Sequence, residues 1–229
     1  MDIPGLHSWN LTPKEAIALQ RKLQMKVVID RPLDAASVGT VAGCDVSAEK
    51  HGRRVFAAVV VFGFPSLKVI EMATAEKDIS FPYIPGLLAF RETPLLLDCF
   101  RSLKSAPAAV IVDGHGIAHP RGLGIASHLG LWLGVPTLGC AKTVLTGAYE
   151  EPDQQRGAAS SLIDKTGVEI GRVLRTRDGV KPVFVSAGHL INLDSAAGLT
   201  LACTPRYRLP EPIRQAHRIA NEVRTGSTV

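Results

Sequence analysis

Ala108–Gly124 reads AAVIVDGHGIAHPRGLG. Five apolar residues, Ala108 to Val112, stop at Asp113, and glycine, histidine and glycine follow. A run that short, rich in Val and Ile and closed by Gly-rich punctuation, predicts a buried parallel strand that opens into a loop. Ligands of open α/β sheets gather in the crevice beyond the carboxyl ends of the strands, so a carboxylate there is a candidate active-site group first and a solvated charge second.

Upstream of this strand, three stretches have strand character: Thr40 to Ser47, Arg54 to Phe64 and Lys68 to Asp78. The short connections His51-Gly52 and Phe64-Pro65-Ser66 predict an antiparallel meander. A helical pattern runs from Gly86 to about Leu103, with Pro94 inside it predicting a kink or a split. Downstream come an apolar helix from Leu123 to Leu133 and a short strand at Val135–Leu138. A hairpin follows, Val168 to Arg175 and Pro182 to Ser186, turned at Arg177-Asp178-Gly179, and the tail from Pro210 to Arg224 is a basic helix. Near the start, Thr12-Pro13-Lys14-Glu15 forms a capping box that opens a packing helix to about Val27.

Three antiparallel strands, helix, strand, helix, strand is the order of the ribonuclease H-like α/β fold: a mixed central sheet, antiparallel then parallel, flanked by helices. The 229 residues, 46% hydrophobic and without an internal repeat, are expected to form a single domain over 1–229. The net charge of +5 inclines the surface towards polyanions. Four scattered cysteines, Cys44, Cys99, Cys140 and Cys203, with no C-x-x-C pair, no secretory leader and no run of the ~20 apolar residues that span a bilayer predict a cytoplasmic protein with no membrane partner.

A second acid stands in the first strand of the meander, Asp45 within VAGCDVS. An unpartnered carboxylate in an apolar segment costs several kcal/mol, about 2–7 for a polar group without a hydrogen bond and more for a charge. If the first and fourth strands are neighbours, Asp45 and Asp113 face each other and require a cation. Carboxylate oxygens suit Mg²⁺, with Mn²⁺ as substitute, better than zinc. Glu92, on the helix between the two strands, is either a third member of the set or a solvated carboxylate paired with Arg91 or Arg101. The turn before it, Phe81-Pro82-Tyr83-Ile84-Pro85-Gly86, offers aromatic and apolar groups on a stiffened backbone, suited to insertion between stacked bases; a loop folded onto the core is the alternative. Around Asp113, the glycines allow a flat ligand to approach, Arg121 is a candidate phosphate contact, and His115 and His119 are expected to support the loop through hydrogen bonds. Lys142 lies at the carboxyl end of the fifth strand, and His217 lies on the tail helix with Arg214 and Arg218.

FPYIPGLLAFRE, VDGHGIAHPRGLGIASHLG, GCAKT, SAGHLI and YRLPEPIRQAHR, in that order along the chain, resemble the endonuclease V family. The resemblance implies Mg²⁺-dependent hydrolysis of the second phosphodiester bond 3′ to deoxyinosine in DNA, leaving 3′-hydroxyl and 5′-phosphate ends, by a protein acting as a monomer. It implies that Asp45, Asp113 and Glu92 hold the metal, that His217 completes the catalytic set, and that Lys142 serves the scissile phosphate or the water. Pro82, Tyr83, Ile84 and Pro85 become a wedge, and Gly86, Leu88, Gly114, Ile125, Gly139 and Leu145 a base pocket. Two other readings stand beside it: an endoribonuclease acting on inosine in RNA, and a non-catalytic binder of damaged or branched DNA.

Overall fold

A computed structural model describes residues 1–49 and 53–226. Eight strands form one sheet in the order β3-β2-β1-β4-β5-β8-β7-β6. They are β1 (Thr40–Ala48), β2 (Arg54–Gly63), β3 (Lys68–Asp78), β4 (Ala109–Val112), β5 (Thr137–Ala141), β6 (Ala159–Ile163), β7 (Glu169–Leu174) and β8 (Val183–His189). Among the described residues five α-helices accompany them: α1 (Pro13–Leu23), α2 (Leu88–Ser102), α3 (Ile125–Leu133), α4 (Leu193–Ala202) and α5 (Glu211–Thr225).

The meander is as expected, with β1 antiparallel to β2 and β2 to β3, while its predicted turn His51-Gly52 lies outside the described residues. β4 lies parallel to β1 and to β5, which makes the strands bearing Asp45 and Asp113 direct neighbours. Two elements escaped the sequence reading, β6 and α4, and the sheet closes with three antiparallel strands, β8, β7 and β6. α2 is one uninterrupted helix through Pro94, so the expected split does not occur. α1 ends at Leu23 and tightens into a 3₁₀ turn to Lys26; its capping box is formed, Thr12 accepting from the Glu15 amide and Glu15 from the Thr12 amide.

β2 explains how the layers stack. Its residues alternate between two apolar surfaces: Val55, Ala57, Val59 and Val61 pack beneath α2, whereas Ala58, Val60 and Phe62 pack against Ala216, Ile219 and Ala220 of α5. A strand buried on both faces reads as a continuous apolar run, and that is the composition of β2. β1 divides in the same way, sending Ala42 and Cys44 towards α2 and Val41 into the cluster containing Ile213 of α5. Along β1 the chain meets α5 closely at Gly43, where an added Cβ would overlap the Pro212 carbonyl group. Among the described residues no helix is long and apolar enough to cross a membrane, and all four cysteines are free and buried.

Candidate active site

The register of β1 against α5 builds one side of the site. Odd-numbered residues of β1 face the helix, so Asp45 and Ser47 follow Gly43 on that surface. Two strand residues advance about 6.7 Å and four helical residues about 6 Å, so residues spaced i, i+2 on the strand meet residues spaced i, i+4 on the helix. His217 Nδ1 lies 2.6 Å from Asp45 Oδ2, and Ser47 Oγ donates to Asn221 Oδ1 at 2.9 Å.

The direction of every hydrogen bond in this ladder follows from Arg224, which can only donate. Its Nε reaches Ser47 Oγ at 2.9 Å and its guanidinium also approaches Asn221 Oδ1. Asn221 therefore turns its Nδ2 to the His217 carbonyl, at 2.9 Å, and to His217 Nε2, at 3.1 Å. With Nε2 accepting, the neutral imidazole carries its proton on Nδ1 and donates it to Asp45.

The other side comes from the ends of β4 and β5. The Asp113 amide donates to the Cys44 carbonyl, aligning the two acids across the parallel pair. Lys142 Nζ lies 2.5 Å from Asp113 Oδ2. Arg208 donates to the carbonyls of Lys142 and Pro182, which fixes the backbone that carries the lysine. Asp45, Asp113 and His217 each direct one ligand atom into a group spanning no more than 4.8 Å. Burial, and then the neighbouring charge of Asp113, raise the Asp45 carboxyl above its usual range, with His217 opposing. Burial and a like charge both disfavour an ionised carboxylate, so a further positive charge beside Asp45 would be stabilising.

Glu92 lies near this group but outside it. Burial and the charge of Asp45 push its carboxyl up to about 8. The alternative pairing with Arg91 or Arg101 is not made: Arg91 donates to the Phe81 carbonyl and Arg101 bridges to Asp98.

Beyond Asp113 opens a pocket of about 320 Å³. Gly86, Leu88, Gly114, Ile125 and Leu145 line it, together with Tyr83 and Ile84. Gly139 does not; it lies beneath the Gly-rich loop, where a Cβ would meet the Gly114 oxygen at 2.5 Å and the Gly116 nitrogen at 2.6 Å. Ser186, from the SAGH stretch, accepts from the Gly116 amide at 2.8 Å and so fixes the same loop. His115 meets its expectation, its Nε2 lying 3.1 Å from the Thr143 carbonyl, and burial lowers its pKa.

The candidate wedge, Pro82 to Pro85, is part of a loop between β3 and α2 with Tyr83 at its tip, 72% exposed. Pro82 and Pro85 are also exposed, while Phe81 is buried with Ala16, Leu87 and Phe90, and Ile84 packs partly against them. The loop is thus folded back at its base and free at its tip. Its far end is held at Gly86, whose φ of +79° belongs to the left-handed region that glycine tolerates. The Gly86 carbonyl accepts from Gln20 Nε2 at 2.9 Å, His119 Nε2 at 3.0 Å and an Arg121 terminal nitrogen at 2.6 Å. His119 Nδ1 accepts from the Arg121 amide, and burial holds this imidazole neutral, its pKa lowered to about 4. Arg121 Nε is bonded to Gln20 Oε1. The Arg121 guanidinium is thus engaged in holding the loop at Gly86.

Sequence reasoning missed Ser47, Asn221, Arg224, Ser186, Gln20 and Arg208. Ser47 and Asn221 were within reach, since they sit two residues past Asp45 on a strand and four past His217 on a helix.

Comparison with known proteins matches residues 21–218 to the family model described as Endonuclease V. The Endonuclease V of Dehalococcoides mccartyi is 48% identical over 221 residues, covering 96% of this chain and 98% of that protein. The crystal structure of Endonuclease V from Streptomyces avermitilis superposes with a TM-score of 0.91 at 44% identity, covering 97% of each chain. Endonuclease V from Ciona intestinalis, solved in complex with a 24mer DNA containing an inosine followed by a ribo-adenosine, is 28% identical with a TM-score of 0.81, covering 94% of this chain and 98% of that one.

Proposed function

The chain belongs to the endonuclease V family, and from that premise we propose that it is a cytoplasmic, monomeric repair endonuclease. It recognises deoxyinosine in DNA and, with Mg²⁺, hydrolyses the second phosphodiester bond on the 3′ side, leaving 3′-hydroxyl and 5′-phosphate ends. The observation that carries this reading is the adjacency of an acid pair and a base-sized pocket, which share Asp113 and Lys142 in their walls. The reaction class follows from the first and the substrate from the second.

The donor set fits a hard divalent cation. Asp45 and Asp113 supply carboxylate oxygens, and their only cationic neighbours among the described residues are movable ones: Lys142 at Asp113, and His217 if protonated at Asp45. Asp45 and Asp113 would hold the ion, with Glu92 completing the set. What the cation supplies when bound is polarisation of the scissile phosphate and stabilisation of charge developing on the leaving oxygen.

The remaining work belongs to the side chains. Lys142 sets an ammonium group between pocket and acids, where the phosphate following the extruded base must lie. His217 presents Nδ1–H towards the acids and serves as a hydrogen-bond donor there. Tyr83 fills the gap that the rotated base leaves in the stack, and Gly86 and Gly114 bring the backbone against the base edge. Extrusion is needed because a hypoxanthine inside the duplex hides most of its distinctive edge, and a mispaired inosine unstacks at lower cost.

The presence of a ribo-adenosine beside inosine in the ligand of the Ciona relative favours a second reading, action on inosine in RNA. One experiment tests both: labelled DNA and RNA strands with a single inosine, incubated with and without Mg²⁺, with the nick mapped to the nucleotide. We expect a Mg²⁺-dependent nick at the second bond 3′ to deoxyinosine, faster on DNA. A nick elsewhere, or none on either polymer, overturns the proposal, and faster cutting of RNA establishes the second reading.

A further inference from the structure

The base pocket has neighbours at both ends. At one end, Asp113 and Lys142 belong to the acid corner. At the other, His119 is shared with a larger cavity of about 920 Å³. The three sites therefore form a series: acid corner, base pocket, large cavity.

The walls of that cavity carry three cations from three elements: Arg21 in the last turn of α1, Arg121 in the Gly-rich loop and Lys165 in the turn between β6 and β7. Among the described residues, none of the three has a carboxylate within 4 Å. The one acid in the wall, Asp164, spends Oδ1 on the amides of Thr166 and Val168 and on the Thr166 hydroxyl, and its charge is shared only with the neighbouring Lys165, so the three cations outnumber it. Arg21 and Arg121 also stand close enough for their charges to oppose each other, which adds to the burial that lowers the Arg121 pKa. Three cations around a cavity that holds a single acid form a site for an anion.

We propose that this cavity holds the sugar–phosphate backbone on the 5′ side of inosine in the strand that is cut. The proposal rests on the function proposed above, because that reading supplies the direction: cleavage 3′ to the lesion lays the 3′ flank across the acid corner. A strand whose inosine occupies the pocket then leaves on the opposite side, and there it meets Arg21 and Lys165. The cations contact phosphates and read no base, so they add affinity without sequence preference. Each phosphate neutralised contributes about 0.9 to the slope of log affinity against log salt on duplex DNA.

The test compares the wild-type protein with the R21Q/K165Q variant. Both side chains are exposed, so folding is not at risk, and Arg121 is left in place because it holds Gly86. Binding is measured without metal, over a range of salt, on four duplexes containing deoxyinosine: full length, 5′ flank trimmed to one nucleotide, 3′ flank trimmed equally, and complement trimmed opposite the 5′ flank. We expect the variant to bind the full duplex about tenfold more weakly at moderate salt, with a slope lower by about 1.8 for two lost phosphate contacts. That deficit should persist on the 3′-trimmed and complement-trimmed duplexes and vanish on the 5′-trimmed one. A deficit that survives 5′ trimming, vanishes on 3′ trimming, follows the complement or is absent overturns the proposal. Mapping the Mg²⁺-dependent nick on the full duplex checks the underlying function separately: a correct nick with no flank effect removes only the cavity assignment.

Discussion

The acid corner and the candidate wedge both contribute to the wall of one pocket and are built by opposite means. Asp45, Asp113 and Lys142 stand on or just beyond strands at the centre of the sheet, and His217 stands on a helix packed against β1. The wedge is a loop whose tip is free and whose two ends are tied by side chains, Arg91 at Phe81 and Gln20, His119 and Arg121 at Gly86. Chemistry on a phosphate needs atoms held to a fraction of an ångström, which paired strands provide. Insertion into a base stack needs reach and stiffness more than registration, which a proline-braced loop provides. The difference implies that damage to the corner abolishes turnover, while damage to the wedge weakens binding by degrees.

The largest effect should come from the corner. Replacing Asp45 or Asp113 with Asn keeps the shape and removes the charge proposed to hold the cation. Outer-shell partners of metal sites already cost about 10–100-fold when replaced, so loss of either acid should lower the nicking rate by more than about 100-fold. Binding to inosine DNA without metal should survive, because the pocket and wedge are untouched. Undiminished nicking by either variant would refute the division of labour.

Next comes the ladder behind His217. Asn221→Asp replaces the amide donor facing Nε2 with an acceptor, which calls the imidazole proton away from the side facing Asp45. The turnover number should fall about tenfold, within the 10–100-fold range of such partners, with DNA affinity unchanged. Arg224→Lys retains a donor for Ser47 and Asn221 and should stay close to wild type. The nitrogen resonances of His217 provide a second check: the metal-free wild type should show Nδ1 protonated and Nε2 bare, and the Asp variant should lose that pattern. An Asn221→Asp protein with normal turnover and the wild-type tautomer would show that the ladder positions nothing.

The wedge should yield less. Stacking of a base on an aromatic ring is worth about 1–3 kcal/mol, and an exposed tip belongs to the lower part of that range. Tyr83→Ala should therefore weaken binding of inosine DNA roughly fivefold to tenfold while single-turnover cleavage of bound substrate changes little. A larger loss in the chemical step than in affinity would move Tyr83 from the wedge into the corner.

The same contrast decides what could be read from the sequence. The corner was legible because a charge inside an apolar strand is an anomaly that demands a partner: Asp45 interrupts VAGCDVS, and Asp113 ends AAVIV. The anchoring of the wedge was not, because Gln20, His119 and Arg121 converge on a main-chain carbonyl, and no side-chain pattern marks a carbonyl as an acceptor. β6 was missed because ASSLI at the sheet edge buries only Leu162 and shows no alternation, and α4 because LDSAAGLTLA is short, with Gly198 in its middle. The Asn192 cap of α4, accepting from Ser195, was the one local signal present. Close approach to a ligand and close approach to another loop place the same demand on a glycine, so the sequence does not tell the two apart at Gly139.

The smallest effect on function, and a measurable one on stability, is expected beneath the rim. α3, whose first residue lines the pocket, carries His128, fully buried beside His7, Trp9 and Phe90. The Ser8 carbonyl takes the proton of His7 Nδ1, so His7 Nε2 accepts from Trp132 at 3.3 Å and from His128 Nε2 at 2.7 Å. His128 is thus neutral with its proton on Nε2, and its Nδ1 has no partner among the described residues. Burial lowers its pKa to about 3 from 6.5, and lowers that of His7 as well. Between those values the unfolded chain binds a proton that the folded chain refuses. Stability is therefore complete above pH 6.5 and declines as pH falls towards 3, by about 1.4 kcal/mol per pH unit for one such group. His128→Phe keeps the ring packing and removes the titration. Urea midpoints should accordingly fall less steeply with acid in the variant than in the wild type, even where the larger Phe ring lowers stability at every pH by about 1–3 kcal/mol, while nicking at neutral pH stays close to wild type because His128 lines neither the pocket nor the acid corner. Equal slopes in the two proteins would mean that His128 is protonated in the folded state and that the aromatic cluster tolerates a charge, contrary to the hydrogen-bond directions that Ser8 and Trp132 impose.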